Sequence, residues 1–222
     1  MRTQLLWRYI TSMTVPLVPP RKRDGEATRQ KLLRAALDLY TTIGYRGTTT
    51  PAIAARAGIA EGTIYRHFTS KEHLLNEVYR GAQKWATGVI REIEEQAPGA
   101  RASERLQRVA RRFFEAAERD PAALRMLLYS PTEKSLDDKS RDSAREFREG
   151  LQQVVAGGKS DGLVRPGPAD LWAQAWLSVI AFAAEKVASR EWPPDHPHLQ
   201  LLIDSAWDAV SSDPRVRASA DQ

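Results

Sequence analysis

Residues 44–72 read GYRGTTTPAIAARAGIAEGTIYRHFTSKE, and the fold turns on how this stretch breaks into helices. Thr50-Pro51 pairs a hydroxyl N-cap with a proline at the first helical position, where the missing N–H costs nothing. A helix is therefore expected over 50–57. Gly58 breaks it, and a second short helix is expected over 61–68. Two helices of two turns each cannot bury a core alone, so they must pack on longer neighbours. A glycine at the turn lets the second cross the first steeply, the geometry of a helix-turn-helix. Ile53, Ala54, Ala57, Ile59, Ile64 and Phe68 then face inward. Thr49, Thr50, Glu61, Gly62, Thr63, Tyr65, Arg66, His67 and Lys71 are left outside, a set rich in groups that bond to phosphates.

The longer neighbours lie on either side. Upstream, Leu32, Leu33, Ala36, Tyr40 and Ile43 recur at helical spacing over 28–43, with Gly44 as the stop. Downstream, Ser70 caps a long helix whose stripe of Leu74, Leu75, Val78, Tyr79, Ala82, Trp85, Val89, Ile90 and Ile93 persists to Pro98-Gly99. Lys71 sits in its first turn, where free N–H groups and the positive dipole end attract an anion. The same pattern predicts helices over 103–117, 120–129, 137–156 (stopped by Gly157-Gly158), 168–190 and 197–211. The fold class is all-α, about nine helices, with no β alternation and no internal repeat.

Charge divides the chain unevenly. Residues 1–73 carry 12 Lys and Arg against 5 Asp and Glu, whereas residues 74–222 carry 21 against 23. A small basic module joined to a near-neutral body suits a polyanion-binding head on a body with another task. The expected organisation is an extended or disordered basic arm over 1–25, a head over 26–72, a helical body over 73–213 and a tail over 214–222. Pro16, Pro19 and Pro20 interrupt the arm and Arg21-Lys22-Arg23 closes it; translation starts at Met1 or at Met13. The chain has no cysteine, which excludes disulfides and thiolate metal sites and suits a reducing cytoplasm. No apolar run reaches the roughly 18 residues of a membrane helix.

The spacing through Thr48, Thr49, Ile53, Ala54, Ala57, Gly58, Ile59, Gly62, Thr63, Ile64, Tyr65, His67, Phe68, Ser70, Lys71 and Glu72 closely resembles the DNA-binding signature of the TetR family. With the preceding helix the resemblance covers residues 26–75. One position departs: Ala60 stands where the family places a serine N-cap. The resemblance implies that Thr49, Thr50, Tyr65, His67 and Lys71 hold phosphates, while Glu61, Gly62, Thr63 and Arg66 face the major groove. Alternatives stay open at three positions, with Tyr65 partly core, His67 a helix C-terminal cap and Arg66 a phosphate clamp. Arg21, Lys22 and Arg23 can reach an adjacent minor groove or stay solvated.

The resemblance further implies a ligand-released repressor that binds a palindromic operator as a homodimer. Its last two helices would pair with their symmetry mates through Trp172, Trp176, Val179, Leu199, Ile203 and Trp207. An apolar or aromatic effector would touch Trp85, Phe113, Phe114, Met126, Tyr129, Phe147 and Trp176, each of which plain core packing also explains. Other readings are a family member without an effector, or an enzyme on a helical fold. No nucleophile elbow or phosphate-binding glycine loop is present. His196, His198 and Asp195 are poorly aimed as metal ligands, and no cofactor or metal is expected.

Overall fold

The computed structural model describes residues 20–129 and 135–212, with the side chains of residues 20–24 left aside. Most of the expected arm, both candidate starts and the tail lie outside these residues, as do the side chains of Arg21, Lys22 and Arg23. Among the described residues ten helices follow one another: α1 Pro20–Thr42, α2 Gly44–Gly47, α3 Thr50–Ala57, α4 Glu61–Ile64, α5 Lys71–Gln96, α6 Ala102–Arg119, α7 Pro121–Leu128, α8 Asp138–Ser160, α9 Ala169–Ala188 and α10 Pro197–Val210. Among the described residues there is no strand; Val164 and Ser211 form a single isolated bridge.

Several boundaries differ from the sequence reading, each for a local reason. Backbone expected in the arm is helical from Pro20 onward, with the proline at the helix start, where it is tolerated. The helix beyond the nine expected is α2, a single turn that begins at Gly44, whose φ of 79° redirects the chain out of α1. Ile43, expected on the inner stripe, falls in this break and is exposed. Thr49, not Thr50, caps α3, accepting from the Ala52 N–H at 3.3 Å. The segment after α4 tightens into turns through His67, because Arg66 N–H bonds to Thr63 O and His67 N–H to Ile64 O.

Gly157-Gly158 does not stop α8, which continues to Ser160. A Cβ on Gly158 would lie 2.7 Å from the Ala102 methyl and 3.0 Å from Val164, so glycine is there for close packing. The stop falls instead at Gly162, with φ of 72°.

The chain divides into two units. The first holds the described residues up to Trp85 together with Ala122–Ala144. In it α1 packs on α2 and α3, and α3 on α4. Its core includes Leu32, Leu33, Ala36, Tyr40, Ile53, Ala54, Ile64, Phe68, Leu74 and Leu75. The second holds Ala86–Pro121 and the described residues from Arg145. There α9 packs on α10 and α6, and α10 on α6. The inner face of α6 carries Leu106, Val109, Ala110, Phe113, Phe114 and Ala117 at three- and four-residue spacing.

Candidate nucleic-acid interface

The helix-turn-helix is built from its turn outward. Gly58 takes φ of 67°, and its N–H bonds to Ala55 O while Ile59 N–H bonds to Ala54 O. These bonds close α3 and aim the chain into α4. Ile53, Ala54, Ile64 and Phe68 are buried as expected, whereas Ala57 and Ile59 are half-buried. Ala60 makes no side-chain cap bond, and α4 starts on the backbone bond from Thr63 N–H to Ala60 O at 2.9 Å.

The outward residues separate into two groups. Thr49, Glu61, Gly62, Tyr65 and Arg66 are exposed, and Thr50, Thr63 and His67 are half-buried. The Thr50 hydroxyl and the Tyr65 phenol lie 3.1 Å apart, joining α3 to the segment after α4 on the open face. Tyr65, at 56 % exposure, is not core. Gly62 has an ordinary φ, and an added Cβ would meet nothing within 4 Å. The protomer itself gives no reason for a glycine there.

Lys71 is half-buried and bonded to backbone carbonyls. Its ammonium donates to Tyr45 O at 3.0 Å and to Thr48 O at 2.9 Å, and lies 4.2 Å from the Tyr45 ring centroid. Two of its three hydrogens are thus spent on carbonyls, which also answers the cost of a cation in the first turn of α5. Glu72 beside it accepts from the Tyr45 phenol at 2.5 Å, and the Tyr40 phenol donates to Lys71 O at 3.1 Å. Burial, then the Glu72 carboxylate, raises the Tyr45 phenol well above the ordinary tyrosine range and keeps it a donor. Glu72 is correspondingly held below the usual carboxylate range, chiefly by the Tyr45 bond. Tyr40 reads from the sequence as part of an apolar stripe and Glu72 as part of the signature, but their pairing with Lys71 and Tyr45 does not, because partners 27 to 31 residues apart leave no local pattern.

The other candidates fall where each unit places them. In the first unit Trp85 and Met126 are buried and Tyr129 is half-buried. In the second, Phe113, Phe114, Phe147 and Trp176 are buried, with the Phe113 and Phe147 rings 6.3 Å apart. Of the six residues assigned to a dimer face, Trp176, Leu199 and Ile203 are buried inside the protomer, and Trp172, Val179 and Trp207 are half-buried. The exposed large apolar groups on α9 and α10 are instead Leu171, Phe182 and Leu201. The wide apolar faces had hidden which side turns inward. His196 and His198 pack their rings 4.5 Å apart, and the His196 ring caps α10 by accepting from His198 N–H.

Comparison with known proteins agrees with this geometry. The profile described as bacterial regulatory proteins, tetR family, matches residues 32–78. The HTH-type transcriptional repressor KstR2 of Mycobacterium tuberculosis is 34 % identical over 143 residues, covering 62 % of this chain and 70 % of that protein. The solved structure of the M. tuberculosis ketosteroid transcriptional regulator KstR2 matches with a TM-score of 0.62 at 25 % identity, over 90 % of this chain and all of that one. A TetR-family regulator from Marinobacter aquaeolei VT8 shares the fold with a TM-score of 0.73 at 22 % identity, over 87 % of this chain and all of that one. The chain belongs to the TetR family and is a helix-turn-helix DNA-binding transcriptional regulator.

Proposed function

We propose that the chain is a repressor that reads a palindromic operator as a homodimer and leaves it when an apolar or aromatic small molecule binds. The DNA-reading part is residues 26–72. Thr49, Thr50, Tyr65 and His67 contact phosphates, and Lys71 offers its third hydrogen to one. Glu61, Gly62, Thr63 and Arg66 enter the major groove, where a dimer's two short segments sit one helical turn apart. Residues 73–213 carry effector binding and dimerisation. The exposed Leu171, Phe182 and Leu201 on α9 and α10 supply the apolar centre that a second copy covers. Effector contacts are drawn from the buried aromatic groups, with the Phe113–Phe147 pair the best defined among them. The names of the relatives, which call them repressors, support the direction of regulation.

The observation that carries this reading is Gly62. It is exposed and unconstrained inside the protomer and opens α4, so its bare backbone leaves room for a duplex to approach closely. Gly62→Leu should leave the fold's stability unchanged or slightly raised, since leucine is the better helix former, while binding to DNA fragments selected from a random library by the wild-type protein collapses. A leucine variant that binds those fragments as well as the wild type would remove α4 from the groove. In the same selection, Arg66→Ala should blur preference at one or two base pairs of each half-site. An unchanged preference would make Arg66 a phosphate clamp.

A further inference from the structure

Glu77, on α5, is the hub of a line of charged contacts that DNA contact does not explain. One carboxylate oxygen receives the Arg29 guanidinium from α1, and the other receives Arg80 from one turn along α5. Arg29 also lies over the Phe68 ring, 5.4 Å from its centroid, and Phe68 is the buried residue that ends the recognition segment. His73 meets the same ring edge-on at 5.6 Å, with its Nε2 3.9 Å from Glu77. Beyond Glu77, Arg80 donates to both oxygens of Asp137, at 2.8 and 2.7 Å, and to the Ser140 hydroxyl at 3.0 Å. Asp137 in turn caps α8 by accepting from Ser140 N–H at 2.8 Å. Asn76 locks this end by accepting from Asp137 N–H at 2.9 Å and donating to Ser135 O at 3.0 Å.

The apolar core beneath, with Leu32, Ile64, Phe68, Leu74 and Leu75, supplies burial but little direction, because the hydrophobic effect is indifferent to angle. Charge-assisted hydrogen bonds are directional. We propose that Glu77 is a positioning residue for DNA reading: through Arg29 it sets the Phe68 end of the recognition segment against α5, and through Arg80 it ties that setting to the first turn of α8. This inference rests on the assignment of residues 61–67 to DNA.

The sign of one measurement separates positioning from simple charge. A carboxylate that acts only through its field repels the phosphates, so Glu77→Gln would tighten DNA binding. Positioning demands the opposite. Affinity for a duplex selected by the wild-type protein should fall about tenfold, within the usual span of coupling effects, while affinity for an unrelated duplex holds or rises. The double variant Arg29→Gln/Glu77→Gln restores the wild-type net charge and should remain about as weak as the single one. Far-UV spectra and melting curves are recorded beside each titration. Where the Gln variant is unfolded, Glu77→Asp keeps the charge, withdraws it by one methylene and should show the same selective loss. A Gln variant that binds the selected duplex equally or more tightly, or a double variant that regains wild-type affinity, overturns the role of Glu77 alone. A wild-type protein that selects no sequence overturns the assignment of residues 61–67, and the inference with it.

Discussion

The first turns of α5 and the pair α9–α10 are held by opposite means. Along α5, Lys71, Glu72, Asn76, Glu77 and Arg80 each place a polar group on a partner in another element of the same unit. Along α9 the inward residues are Ala173, Trp176, Leu177, Ile180, Ala183, Ala184 and Val187. Side-chain hydrogen bonds and ion pairs to other elements of its unit gather near its C-terminal end, where Lys186 pairs with Glu191 and Arg190 donates to Glu118 O. Burial drives both regions, but on the proposed reading only the first presents a surface at a fixed angle. Directional bonds suit that task, and a broad apolar face suits the dimerisation proposed for α9 and α10.

The largest effect expected from this contrast is at Trp176, which is 1 % exposed. Trp176→Ala should lower stability by about 3–5 kcal/mol, as large-to-small core changes do. Denaturant melts at fixed protein concentration measure it, and an unchanged midpoint would move the indole out of the core. Next come Phe182 and Leu201, 53 % and 60 % exposed. Phe182→Glu with Leu201→Glu should raise the dimer dissociation constant by about a hundredfold, a loss of about 2.7 kcal/mol, on the scale of an interface hot spot. Sedimentation then shows monomers that keep their helical spectrum. A dimer unaffected by both changes would place its contact elsewhere.

Much of this division was legible before any coordinates, and what was not follows a physical rule. The stripe from Leu74 to Ile93 and the turn at Gly58 are local patterns, so spacing alone located them. Helix ends depend on contacts that the local sequence does not carry. Gly157 and Gly158 read as a stop, but the packing of Gly158 on Ala102 is invisible to a scan along the chain. The all-apolar look of α9 concealed which of its sides is inner: Trp176 is buried inside the protomer, and Phe182 is exposed. The charged line of Arg29, Glu77, Arg80 and Asp137 joins residues 48 and 57 positions apart, and no residue in it carries a periodic or motif signal.

At Lys71 two roles meet, and one variant weighs them. Lys71→Met keeps most of the stem and loses the bonds to Tyr45 O and Thr48 O. For a half-buried charged donor this should cost about 1–2 kcal/mol of stability. If the third hydrogen also holds a phosphate, the slope of log affinity against log salt should fall by about one unit. A stability loss with an intact slope would make Lys71 purely internal to the head. An intact stability with a lower slope would mean that the two carbonyl bonds contribute little.

The smallest effect belongs to Asp137, where pH gives the test. Burial pushes its carboxyl up, but the hydrogen bonds from Arg80 and Ser140, together with the Arg80 charge, outweigh this. They bring the pKa from 3.8 down to about 2. The folded chain therefore holds this proton less tightly than the unfolded one. Its contribution to stability is fully present well above 3.8 and is lost as the pH falls through about 2. Asp137→Asn preserves a side-chain oxygen to cap α8 but cannot titrate. The stability difference between wild type and variant should thus be flat above about pH 5 and shrink between about pH 4 and 2. Because the carboxylate is nearly half exposed, the difference should be only about 0.5–1 kcal/mol, and smaller in high salt. Glu72, Glu77 and Glu92 are also held below their ordinary range and add to the acid sensitivity of both proteins. Only the difference between the two curves reports on Asp137. A difference that stays constant through that acid window would mean that the Arg80 contact does not stabilise the ionised carboxylate. The line from Glu77 to α8 would then be a matter of packing alone.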